Sequence, residues 1–163
     1  MSRVVPALVV SLLVVLGAPA SAEETEPAPP PSAEEALKIA EYRGVIMSTL
    51  GAQMRASGMI LRNEIARPAD LVSHATGLHQ ASQFLAELYP AGTGPEQIPD
   101  SRAKPEIWEH WDDFAERAAG FEEASAKLVE VARTGDMAAY GAQFRQVGQS
   151  CSACHDDFRV PED

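Results

Sequence analysis

The 163-residue sequence predicts an all-α fold, an antiparallel four-helix bundle, on three observations. Four segments repeat apolar side chains every three or four residues, the period of a helix with one buried face. Proline, glycine and capping residues punctuate the junctions between them. Runs of β-branched residues that would favour strands are few after residue 22. About 130 residues in the helical region suffice for one core, and neither an internal repeat nor a second domain is visible.

The helices begin only after two leading segments. Arg3, the apolar stretch Val4 to Gly17 and Ala20-Ser21-Ala22 have the order of a secretory signal peptide, residues 1–22, cleaved after Ala22. The apolar stretch is too short to span a bilayer and contains Pro6, so a membrane anchor is the weaker reading. The bacterial periplasm is the expected compartment. Residues 23–31, EETEPAPPP, are acidic and proline-rich and cannot bury a core; they read as a disordered leader to the bundle of residues 32–163.

Ser32 with Glu35 three residues on forms a capping-box signature for the first helix. Leu37, Ala40, Gly44, Met47, Leu50, Met54, Gly58 and Leu61 continue it to about Asn63. Pro68 opens the second, carried by Leu71, Ala75, Leu78, Ser82, Leu85 and Leu88 and stopped by Tyr89-Pro90-Ala91-Gly92. A Gly- and Pro-rich loop reaches Lys104, and Pro105 opens the third. Its stripe is Trp108, Trp111, Phe114, Ala118, Phe121, Ala124, Leu128 and Ala132, with both tryptophans expected in the core. Gly135 suits a helix C-terminus and Asp136 an N-cap. The fourth helix places Tyr140, Phe144, Val147, Cys151, Cys154 and Phe158 on one face.

Both cysteines of the chain fall in Cys151-Ser152-Ala153-Cys154-His155 on that last helix. Positions i, i+3 and i+4 share a face, so two thiols and an imidazole are presented together. C-x-x-C-H is the attachment signature of c-type haem: two thioethers to the porphyrin and an axial histidine, here His155. A disulfide would put a short strained bridge inside a helix and leave His155 without a role. Zinc would need further ligands, and a thioredoxin-like pair would need a βαβ setting. One covalent haem c is therefore expected on the C-terminal helix.

The motif lies so close to the C-terminus that no methionine follows it. Met137 stands about five turns before His155, roughly 27 Å along the axis, and cannot reach the same iron. A distal ligand must come from the first helix or from His74, His79 or His110, each of which reads more simply as an exposed or hydrogen-bonded histidine.

The whole helical region resembles the cytochrome c′ superfamily, the class II c-type cytochromes. The resemblance rests on Tyr42-Arg43…Met47, on Tyr89-Pro90-Ala91-Gly92-Thr93-Gly94, on Ala103-Lys104-Pro105-Glu106-Ile107-Trp108, and on the terminal Cys-Ser-Ala-Cys-His-Asp-Asp-Phe-Arg. It implies a four-helix bundle with haem on the last helix. It also divides the expectations. The low-spin cytochrome c-556 type has a methionine at the distal position, one turn beyond Arg43, where Met47 stands. High-spin members leave the iron five-coordinate and bind nitric oxide or CO. An ordinary core methionine is the plain alternative for Met47.

Arg159, one turn beyond His155, is expected to flank the haem or pair with a propionate, as the matching family arginine does; a surface pair with Asp156 or Asp163 is the competing reading. Arg43 is a second propionate candidate. Gly44 and Gly51 flank Met47 on the same face and serve either a close porphyrin approach or close helix packing. Phe144 and Phe158 read as core and haem-packing residues.

Thirteen basic against 24 acidic side chains give a formal charge of −11, and loss of Arg3 with the first 22 residues makes it −12. A polyanionic body disfavours nucleic acid and anionic membranes as partners and favours redox proteins with a basic docking surface. Asp112-Asp113 and Glu122-Glu123 are either such a patch or a solvated face. No paired carboxylates or nucleophile–base set accompanies the motif, so the chain reads as a one-electron carrier rather than an enzyme, with gas binding as the alternative. The resemblance also leaves a homodimer through the first two helices open.

Overall fold

The computed structural model describes residues 30–161. They form α1 (Ala33–Leu61), α2 (Leu71–Ser82), the short α3 (Glu106–Glu109), α4 (Trp111–Thr134) and α5 (Met137–Phe158). The four long helices make the expected bundle, and the described residues contain no strand, only an isolated antiparallel bridge between Ala103 and Arg159. Residues 1–22 and most of the leader lie outside the described residues. No described helix is long and apolar enough to cross a membrane.

Local chemistry sets the helix ends where the sequence placed them. Ser32 caps α1 through Glu35 N–H, while the Glu35 carboxylate accepts from Ser32 N–H at 2.9 Å. Beyond Leu61 the chain turns through Asn63 at φ 57°, a left-handed conformation that asparagine tolerates better than most residues. Gly135 ends α4 at φ 74°, and Asp136 Oδ1 then accepts from Ala138 and Ala139 N–H at 2.9 and 3.0 Å to start α5.

The second and third predicted helices are each less continuous than their apolar spacing implies. Pro68–Asp70 and Ala86–Leu88 are 3₁₀ turns on either side of α2. His110, at φ −124° and ψ 53°, separates α3 from α4. That break lets the Trp108 indole N–H turn inward to Tyr89 O at 3.1 Å and Pro90 O at 3.2 Å. Trp111, on the other side of it, is 40% exposed instead of joining the core.

The core is built on Leu78, Leu128 and Val147, each with no exposed surface. α2 packs between α1 and α4, and α4 packs along α5. α1 and α5 approach at one end only. There Tyr140 donates to Ser57 Oγ at 3.2 Å, and Leu61 and Met54 face Gly141 and Gly148. Toward the end of α5 the two helices part, and the space between them is the site described next.

Candidate functional site

α5 presents Cys151, Cys154 and His155 from its last turns into a cavity of about 830 Å³ between α1, α4 and α5. All three are half-buried, and the cysteines are free thiols. The walls are largely apolar, with Leu50 and Met54 from α1 and Phe114 and Phe121 from α4. Phe158 closes the end of α5 over this wall, edge-on to Phe114 at 5.4 Å.

Burial dominates the electrostatics of the motif. It raises the pKa of the Cys151 thiol and, with the neighbouring Cys151 as the next cause, pushes Cys154 up to about 11. Both are therefore protonated near neutral pH, unlike the depressed thiolates of dithiol redox sites. Burial also lowers the His155 pKa, helped by the positive charges of Arg159 and Arg102 and opposed by Asp156. The imidazole is thus held neutral, with a lone pair available for a metal.

The register of α1 against α5 locates Met47. A Cβ on Gly141 would lie 3.7 Å from Leu61 Cδ2, and one on Gly148 would lie 3.9 Å from Met54 Cε. Seven residues back along α1 thus match seven forward along α5, two helical turns on each. One further step carries this antiparallel register to Met47 and His155, where the helices have separated and both residues line the cavity. Gly44 and Gly51 line it too, and a Cβ on either would meet nothing within 4 Å. They serve no helix contact; they leave the face of α1 around Met47 bare.

Of the other sequence candidates, Arg159 lies at the exposed rim of the cavity with Arg102 and Arg117. Arg43 also borders the cavity, but its guanidinium is buried in bonds to Leu88, Thr93 and Ser101. His74 Nδ1 pairs with Gln53 Oε1 at 2.6 Å, and His79 Nδ1 lies 3.5 Å from Ser125 Oγ. His110 lines a separate shallow recess. None of these three histidines borders the cavity, and Phe144 stacks on Tyr140 rather than lining it. The sequence reading missed Phe114, Arg117 and Phe121, though their spacing on α4 was a visible signal, and it missed the wall supplied by Ser101 to Ala103.

Two thiols and a neutral imidazole on one wall, apolar side chains around them and arginines at the rim suit a flat apolar group with carboxylates at its edge. That is the chemistry of a porphyrin, so the residues fit a haem. The described residues offer no group of three or more His, Cys, Asp or Glu side chains that could hold a metal ion alone.

Comparison with known proteins agrees. The family model described as Cytochrome C′ matches residues 38–159. The chain is 32% identical over 120 residues to a cytochrome c′ of Rhodospirillum rubrum, covering 74% of this chain and 80% of that protein. It is 31% identical over 159 residues to a cytochrome c-554 of Cereibacter sphaeroides, covering 96% of this chain and 97% of that protein. Among solved structures, a nitric oxide complex of a cytochrome c prime variant from Alcaligenes xylosoxidans superposes with a TM-score of 0.69 at 25% identity. That match covers 80% of this chain and 98% of the solved one.

Proposed function

The chain belongs to the cytochrome c′ family of class II c-type cytochromes and carries covalent haem c, and from that premise we propose that it binds a diatomic gas, nitric oxide or CO. Cys151 and Cys154 would hold the group through their sulfurs, and His155 would ligate its iron from α5. When bound, haem c supplies an iron that takes axial ligands and changes oxidation state by one electron. Leu50, Phe114 and Phe121 would keep water from it, and Arg159 at the rim would be available to its carboxylates.

The single observation that carries the reading is the cavity itself, whose α1 wall around Met47 is left bare by Gly44 and Gly51. In this reading Met47 lines the α1 wall without ligating the iron, which would stay open to the incoming gas. The relatives named cytochrome c′, and the structure solved as a nitric oxide complex, support it over the electron carrier expected from sequence.

One observation favours the carrier as a second reading. The α1–α5 register, continued from Leu61 and Met54, supports a place for Met47 facing His155, where its sulfur could be the sixth ligand, and a relative over nearly the full chain is a cytochrome c-554. A redox partner's basic surface would then meet the exposed Asp112 and Asp113 of α4, because the cavity rim is itself cationic. Both readings are non-catalytic and place the protein in the periplasm. Exposed Tyr42 and Val45 on α1 leave a homodimer open in either.

Met47→Ala separates the two. If the wild type is a gas binder, its CO affinity matches that of the variant within a few-fold and its reduced spectrum is already high-spin. A wild type that is low-spin and ignores CO, while Met47→Ala binds it, would establish the carrier.

A further inference from the structure

Arg43 is only 5% exposed, yet no carboxylate of the described residues pairs with it. A buried guanidinium is costly unless its donors are satisfied, so its partners identify its task. Nη1 donates to Leu88 O at 3.2 Å and to Thr93 Oγ1 at 3.3 Å. Nη2 donates to Thr93 O and to Ser101 Oγ, both at 3.2 Å. The Tyr89 ring lies under it, 4.6 Å from Cζ to the ring centroid, which adds a cation–π contact.

Those acceptors sit at both ends of the long connection between α2 and α3. Leu88 and Thr93 stand where it begins and Ser101 where it turns back toward α5. Thr93 Oγ1 passes the bond on to Pro90 O at 2.8 Å, and Ser101 Oγ accepts from Ala103 N–H at 3.2 Å. Residues 90–104 of this connection are rich in Gly and Pro, and Ile98 is their one large buried aliphatic side chain. Ile98 and the stretch from Asp100 to Ala103 nevertheless make one wall of the haem cavity. The far end of that wall is clipped to the chain just beyond the motif, by Val160 N–H to Arg102 O at 2.8 Å and Lys104 N–H to Phe158 O at 3.0 Å.

We infer that Arg43 is a positioning residue: from α1 it latches the 90–104 segment into place as a wall of the haem cavity and so steadies the C-terminal clip beside His155. The inference rests on the haem-site reading above. It differs from the propionate role expected from sequence, because the bonds that Arg43 makes run to the protein's own backbone and hydroxyls. Lysine could keep the charge but not a planar fork that reaches three residues at once.

Hydrogen exchange on the haem-loaded full chain tests it, with haem attachment checked separately by intact mass. In Arg43→Met and in Arg43→Lys, the amides of Ser101, Lys104 and Val160 are expected to exchange about tenfold or more faster, with α2 and α4 unchanged, as for a local opening. Thr93→Val with Ser101→Ala removes two of the four acceptors on a chain that keeps Arg43, and is expected to speed the same amides by a smaller factor. Wild-type exchange at those amides in the variants, or full protection restored by Arg43→Lys, would overturn the latch. A uniform rise across all helices would overturn it too, by making Arg43 merely a stabiliser of the whole bundle. Failure to find attached haem would instead refute the site reading and leave the exchange result to stand alone.

Discussion

Tyr140→Phe tests the joint between α1 and α5 at the end where the two helices approach. Tyr140 is 1% exposed and Ser57 is fully buried, and the phenol donates to Ser57 Oγ at 3.2 Å. Phenylalanine keeps the ring and its stacking on Phe144, so the change removes one hydrogen bond and leaves the buried Ser57 hydroxyl without that partner. The expected cost is about 1–3 kcal/mol, the penalty for a buried hydroxyl that loses its bond. In a domain of this size each kcal/mol lowers the melting temperature by about 4 °C. Ser57→Ala strands the phenol in the core and should cost about 1–3 kcal/mol. The double variant should show about 1 kcal/mol of coupling, read from urea unfolding of the haem-loaded protein.

The pH dependence adds a sign. Burial raises the Tyr140 pKa above its ordinary 10.0, with the Ser57 bond opposing. A raised folded pKa means that the stabilisation is complete below the unfolded value and drains away as pH rises through the folded one. The advantage of the wild type over Tyr140→Phe should therefore hold from neutral pH to about 9 and shrink above 10. Coupling under about 0.3 kcal/mol, with an advantage that stays constant through pH 11, would refute the bond and its place in the joint.

Two further variants probe the site and its supports. Gly51→Leu should leave the helical content unchanged, because nothing stands within 4 Å of its Cβ, but should fill the α1 wall and cut haem incorporation in quantitative haem staining. Gly135→Ala should destabilise the bundle by about 1–2 kcal/mol, because φ 74° is left-handed backbone, and equilibrium unfolding checks it.

What was legible in the sequence was local. The Ser32–Glu35 box and the Gly135–Asp136 junction depend on residues a few positions apart, and both formed as read. The motif of Cys151, Cys154 and His155 was likewise contained in one turn and a half of helix. The break at His110 was not legible, because Trp108 finds its acceptors in Tyr89 and Pro90 on another element. For the same reason Trp111 looked like core. Arg43 was recognised as a cation near the site, but its acceptors lie 45 to 58 residues away, so its partners could only come from the fold. The α1–α5 register is an intermediate case. Met47, Met54 and Leu61 repeat every seven residues, as do Gly141, Gly148 and His155, but only the packed helices show that Leu61 faces Gly141 and Met54 faces Gly148.

Whether the iron position opposite His155 admits a gas decides between the two readings. The direct measurement is the visible spectrum of the reduced wild-type protein before and after CO. Gas binding predicts a high-spin spectrum whose Soret band shifts and sharpens on CO addition. A low-spin spectrum that CO leaves unchanged would contradict it and place Met47 on the iron.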